Sequence, residues 1–419
     1  MKKNVEFYYK RLLGRLWFRP LLFCLLSIAV ALLAQLADNS FIADIAPAIE
    51  KSSVEELLSI LSATMLVIAI FAVGSMLSAF SAASSSATPR SFKLVVADDV
   101  SQNALSVYIG SFIFSIVALV ALKNGYYGQA GYFTLFILTL LVFAVVIITF
   151  LRWVERISKL GRLGHTIQKI EEATKKVLIN RLEQPYLGCH PIKESIESGT
   201  PVYTKEMGYV LHINMDKLQE LASDSNALIT VVCIPGRFVS PEKPLVYITY
   251  QDANGNTIDN EELEKAFSID DNRSFYDDPR FGLIVLSEIA SRALSPGIND
   301  PGTAIAIIAS HIRLFSLWVI GIKKEKTETV KYNRISVPAI SLADMFDDAF
   351  RPIERDGAGN IEVMIRLQKA LITIAHIGNT EVKELAILHS RQAFERAEIA
   401  MDYKNDLVVL KKESLFSKS

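Results

Sequence analysis

Charge is what the first third of this chain lacks. No Asp, Glu, Lys or Arg occurs in Pro20–Ala37, Leu57–Ala83, Ala104–Leu122 or Ala130–Leu151, runs of 18, 27, 19 and 22 residues. A helix rises about 1.5 Å per residue, so about 20 residues cross a hydrocarbon core of about 30 Å. Soluble core helices seldom run that far uncharged. Cysteine is scarce as well: Cys24, Cys189 and Cys233 are an odd, scattered set. They exclude a disulfide framework and any paired metal spacing. A formal net charge of −1 supplies no basic field to draw nucleic acid. The six histidines are dispersed. G-x-S-x-G, H-E-x-x-H, G-x-x-x-x-G-K and a strand-led G-x-G-x-x-G are all missing. The expectation is a protein that is not an enzyme and holds no metal and no cofactor.

The four uncharged runs predict four transmembrane helices, at about 17–37, 57–83, 104–122 and 130–151. The first is preceded by a long basic, aromatic segment and ends LLAQLAD without a cleavage site, so it reads as an uncleaved anchor. Orientation follows from the flanks. Residues 1–19 carry Lys2, Lys3, Lys10, Arg11, Arg15 and Arg19 against Glu6, whereas 38–56 carries Asp38, Asp44, Glu50, Glu55 and Glu56 against Lys51. Arg90 and Lys93 follow the second run, and Arg152, Arg156, Lys159 and Arg162 follow the fourth. Basic residues thus alternate from side to side, which places both termini in the cytoplasm.

The remainder reads as a mildly acidic α+β cytoplasmic domain. With residues 1–155 as the transmembrane domain, 156–198 is an amphipathic connector continuing the fourth helix, with Ile157, Leu160, Ile167, Ile170, Val177 and Leu178 at helical spacing. Residues 199–258 form a small β-rich module with strands at Pro201–Tyr203, Gly208–Ile213, Ala227–Ile234 and Leu245–Tyr250, and Asn254-Gly255 as a hairpin tip. The turn-rich PGRFVSPEKPLVYI is spaced like a biotinyl or lipoyl half-barrel but offers no acceptor lysine in a Met-Lys or Asp-Lys context. Residues 259–419 are mainly helical. Asp278-Pro279 and Asp300-Pro301 each start a helix, with the tight corner SPGIN, Ser295 to Asn299, between them.

Two groups of residues are candidates for chemistry. At the corner, Arg292, Ser295, Asn299, Asp300, Thr303 and His311 could converge on a small ligand or ion. The bland reading is that Asp300 caps a helix and the others satisfy the turn. In the second span, Ser75, Ser78, Ser81 and Ser85, with Gly74 and Ala82, make a small hydroxylated face ending near Arg90. That face suits close helix packing or the lining of a path. No ionisable residue lies within the spans, which disfavours a charge relay.

Four stretches carry a family likeness: SSSATPRSFKLVVADDVSQNALSVYIGSFIF; EMGYVLHINMDKLQELA with PGRFVSPEKPL; DDPRFGLIVLSEIASRALSPGINDPGTA; and DMFDDAFRPIERDGAGNIEVMIRLQKAL. On these the sequence resembles the bacterial domain of unknown function 2254 family of predicted membrane proteins, over roughly residues 10 to 400. Glu242 departs from the glycine expected in the PGRFVSPEKPL turn. The resemblance implies a four-span membrane protein with a cytoplasmic domain and brings no established activity. The functional expectation is an oligomeric, channel-like or gated permeation protein with a cytoplasmic gating or filtering domain. The alternative is a membrane-anchored scaffold or sensor that binds a partner or small ligand and passes nothing. Expected partners are the lipid bilayer and further copies of the chain, with no nucleic acid.

Overall fold

The computed structural model describes residues 15–39, 45–96, 98–192, 199–252, 256–322 and 330–417. The chain divides into two compact units, one running to Thr166 and the other from Ile167 to Ser419.

In the N-terminal unit, α1 (Phe18–Leu33) runs into a 3-10 turn at Ala34–Asn39. Then come α2 (Lys51–Ser86), the short α3 (Phe92–Val96), α4 (Asp99–Lys123) and α5 (Gln129–Leu160). α4 packs against α1, α2 and α5. Its sequence permits that central place, because Ala104, Ser106, Gly110, Ser111, Ser115 and Ala118 let neighbouring backbones approach. Large apolar side chains point outward instead: Leu25, Leu26, Val67, Ile70, Leu77, Leu141, Ile147 and Leu151 are all exposed. An apolar exterior around a small-residue interior suits a hydrocarbon solvent.

Polar groups fasten the ends of this bundle. Asp38 reaches across 90 residues to cap α5, accepting from the Gly128 amide at 2.7 Å and the Gly131 amide at 2.8 Å. The Tyr127 hydroxyl donates to the Ala31 carbonyl at 2.7 Å. At the other end, buried Asp98 caps α4 through the Ser101 amide, 3.1 Å, and accepts from Arg156 Nη2 and Nε at 2.6 and 2.8 Å. Arg19 bonds Asp99 and Asn103, tying α1 to the first turn of α4.

The C-terminal unit holds most of α6 (Leu163–Glu183). It continues through β1 (Cys189–Pro191), β2 (Thr200–Tyr203), β3 (Gly208–Ile213), α7 (Met215–Asp224), β4 (Ala227–Val231), β5 (Phe238–Val239), β6 (Pro244–Tyr250), α8 (Asn260–Glu264) and β7 (Phe267–Asp270). After these come α9 (Phe281–Ala293), α10 (Pro301–Ile322), β8 (Tyr332–Val337), α11 (Leu342–Asp356), α12 (Ile361–Ile377), α13 (Thr380–Ala400) and α14 (Lys404–Glu413). Five strands make one mixed sheet in the order β1-β8-β4-β6-β2, with β8 parallel to both β1 and β4. A second, antiparallel sheet has the order β5-β3-β7. Strands β1, β7 and β8 therefore join from outside residues 199–258. β6 pairs with β4 and β2, and the Asn254-Gly255 tip lies outside the described residues. The helices close over an aromatic centre in which the Phe315, Phe346 and Phe350 rings lie 4.8 to 5.5 Å apart.

Two expectations change. The connector does not continue the fourth helix unbroken: α5 ends at Leu160, Gly161 caps it, and α6 begins at Leu163. From Ile167 onward, the apolar stripe of α6, with Ile170, Val177 and Leu178, is buried within its own unit. Glu171 is held there by both Nε and Nη2 of Arg313, at 2.6 and 2.7 Å. As for spans, five described helices are long and apolar enough to cross a membrane, where the sequence pointed to four; the fifth is Pro301–Gly321 of α10. Its buried face holds Ala304, Ile307, Ile308, His311, Leu314 and Phe315, with Ile305 and Ile312 half-buried.

Candidate functional site

The corner between α9 and α10 is built by capping. The Asp300 carboxylate accepts from the Thr303 amide at 3.1 Å and from the Thr303 hydroxyl at 2.6 Å. Those bonds hold the carboxyl below the usual carboxylate range. The Ser295 hydroxyl donates to the Arg292 carbonyl, 2.7 Å, and the Asn299 amide to the Ser295 carbonyl, 2.9 Å. Asn299 takes φ +49°, a left-handed position that asparagine tolerates better than most residues. Arg292 is exposed. His311 does not join them: it lies eleven residues farther along α10, fully buried, with Nε2 3.1 Å from the Ser287 hydroxyl. That hydroxyl in turn donates to the Ala349 carbonyl at 2.9 Å. The six corner candidates thus split into a cap, a turn and a core histidine. Asp300→Ala should cost about 1 kcal/mol of stability through the lost cap. A thermal melt unchanged by that substitution would show that the helix start is held by other means.

A denser constellation lies where three of the quoted stretches meet. Around DDPR, Asp278 receives Arg273 at 2.6 and 3.0 Å and also caps α9, accepting from the Arg280 and Phe281 amides. Asp277 lies 2.5 Å from His212 Nδ1 on β3. Arg181 of α6 is buried, and neither terminal nitrogen finds a hydrogen-bond partner among the described residues. Burial pulls its guanidinium down to about 10, against the pull of Asp277 and Asp278 the other way. Next to this, Arg280 reaches Asp348 at 2.6 Å and also pairs with Asp344. Burial raises the Asp348 carboxyl above its ordinary range, and the Arg280 bond offsets this only in part.

Arg280, Ile284, Glu288 and Ser291 recur along one face of α9 opposite Asp344, Asp347, Asp348, Arg351 and Arg355 of α11, and together they line an open groove of about 590 Å³. Its charges are largely paired internally, with Asp347 bonded to Arg351 and Asp356 to Arg355. Sequence reasoning passed over these residues. The signal was present in DDPR and DMFDDAF, whose charges repeat at helical spacing on residues the core does not need.

The hydroxylated face of α2 stays uncovered. Ser75 is half-buried, while Ser78, Ser81, Ser85 and Arg90 are exposed. Ser75 and Ser78 line a shallow groove of about 680 Å³ with Gly74, Ala82 and the Ser158, Gly161 and Arg162 end of α5. Ser81, Ser85 and Arg90 lie outside that lining. The Ser85 hydroxyl bonds back to the Ala82 carbonyl at 3.0 Å.

Comparison with known proteins gives one broad match and several partial ones. A family model described as predicted membrane protein, DUF2254, matches residues 14–373. An uncharacterised protein of Mycobacterium bovis is 32% identical over 112 residues, 26% of this chain and 21% of that protein. An uncharacterised protein of Mycobacterium tuberculosis matches with the same identity and coverage. The aligned segment thus spans about a fifth of the length of these curated relatives. No solved structure matches.

Proposed function

The chain belongs to the DUF2254 family of predicted membrane proteins, and from that premise we propose that it works as an oligomeric, channel-like permeation protein of the bacterial inner membrane. In this reading α1, α2, α4 and α5 cross the bilayer, both termini are cytoplasmic, and the C-terminal unit gates or filters. α10 stays out of the membrane, since half of its apolar window is buried inside the C-terminal unit and fully buried His311 faces the Ser287 hydroxyl there.

The observation that carries the reading is the uncovered face of α2. Gly74, Ser78 and Ala82 follow small-xxx-small spacing, which lets helices of separate copies meet closely. Hydroxyl groups left against hydrocarbon gain nothing, whereas a second copy seated along this face would cover them. A closed ring of such contacts would turn Ser75 and Ser78 toward a shared path.

The decisive experiment is single-channel recording of the purified protein in a planar bilayer beside Ser78→Leu. The expected result is discrete current that the substitution abolishes while the assembly persists. Full current through an assembled Ser78→Leu protein would remove the serine face from the account.

The membrane-anchored sensor remains the second reading because the α9–α11 groove has the volume of a small-molecule site. It predicts a silent bilayer and a thermal shift with a polar ligand that Arg280→Ala weakens.

A further inference from the structure

The N-terminal unit satisfies most of its interior polar groups locally. Buried Ser106, Ser115 and Thr139 each donate to the carbonyl four residues back, at 2.7 Å, and Tyr127 bonds Ala31. Among the described residues of α4 and α5, three groups break that pattern. Gln102 donates Nε2 to the Val96 carbonyl at 3.1 Å, but its Oε1 accepts nothing from the described residues. Trp153 Nε1 and the Tyr108 hydroxyl likewise have no partner among the described residues, although these residues are 1% and 0% exposed. A buried donor or acceptor without a partner costs free energy comparable to a lost hydrogen bond, so three in one bundle call for a ligand.

Their placement says which ligand. The Asp98–Arg156 ion pair brings α4 and α5 level with one another. About one helical turn along each helix from that pair come Gln102 on α4, offering an acceptor, and Trp153 on α5, offering a donor. Tyr108, which can do both, stands about 9 Å deeper along α4 at about 1.5 Å per residue, in the same packed cluster as Trp153. Asp99 is the one formal charge between Asp98 and Tyr108 on α4; it pairs with Arg19 as Asp98 pairs with Arg156, so nothing there favours an ion over a neutral molecule. A lipid tail could make none of the missing bonds.

We propose that the inner end of the N-terminal unit holds bound water along α4. One site joins Gln102 Oε1 to Trp153 Nε1 beside the Asp98–Arg156 pair, and a second sits at the Tyr108 hydroxyl. Water is small enough for such sites and satisfies several polar groups at once. The inference is independent of oligomerisation and of permeation, because every residue in it belongs to one chain.

Radiolytic footprinting of the full-length protein in lipid nanodiscs, pulsed in oxygen-18 water, tests it. Hydroxyl radicals form where water is held, so buried side chains next to it are labelled. Tyr108 should label several-fold faster than Tyr127, which is 4% exposed and satisfied by protein. Trp153 should likewise label several-fold faster than Trp318, which is 7% exposed. Labelling of Tyr108 and Trp153 at or below the rates of those comparators would overturn the proposal.

Tyr108→Phe supplies a second, independent reading, since it removes the hydroxyl and little else. With water bound there, the melting temperature should fall. An unchanged or raised melting temperature is the signature of a dry, unsatisfied hydroxyl and would overturn the Tyr108 site.

Discussion

Asp98→Ala should destabilise the N-terminal unit by about 3–5 kcal/mol, the cost typical of removing one member of a buried ion pair. Asp98 is 1% exposed and does two jobs, receiving two bonds from Arg156 and capping α4 at Ser101. Its loss strands a partly buried guanidinium between helices and uncaps the central one. The measurement is thermal or denaturant unfolding of the detergent-solubilised protein, with Arg156→Ala and the double variant alongside. The double variant should cost less than the two single costs added together, because neither partner is then left unpaired. Strict additivity, or a loss below about 1 kcal/mol, would show that the pair behaves as an exposed one.

Gly282→Ala should have an effect of similar size in the C-terminal unit. A methyl at Gly282 would overlap the Thr174 hydroxyl and come within 2.7 Å of the Thr174 Cβ. Thr174 cannot swing away cheaply, since it is buried and its hydroxyl bonds the Ile170 carbonyl at 2.6 Å. α6 and α9 must then separate, and overpacking of that kind costs about 1–3 kcal/mol, with this contact at or above the upper end. Thr174→Ala should restore part of the loss, as it removes the hydroxyl and methyl but leaves Cβ. A Gly282→Ala protein that melts like the parent would mean that the two helices do not pack this closely. These two variants probe different units, so their effects should not couple.

What could be read without a structure was whatever repeats locally. Uncharged runs became α1, α2, α4 and α5 because length and apolarity are properties of a single segment. Asp278 and Asp300 start α9 and α10 as their Asp-Pro pairs predicted, although α9 begins two residues later, at Phe281. The family likeness was legible for the same reason, since short strings such as DDPRFGL can be recognised one at a time.

What the tertiary structure decided are the pairings between segments far apart in the chain. Nothing near Asp38 says that it will cap α5 at Gly128 and Gly131. Nothing in Tyr332–Val337 says that it will lie parallel to β4, a hundred residues earlier. His311 shares its sequence segment with Asp300 and Thr303, yet the turn of α10 carries it away from them to Ser287. Arg280 meets Asp344 and Asp348 only because α9 packs on α11. Periodicity tells a side chain which face of its own helix it occupies. Which face of another element it meets depends on how the chain reverses between them, and that is settled by the packing of the whole unit.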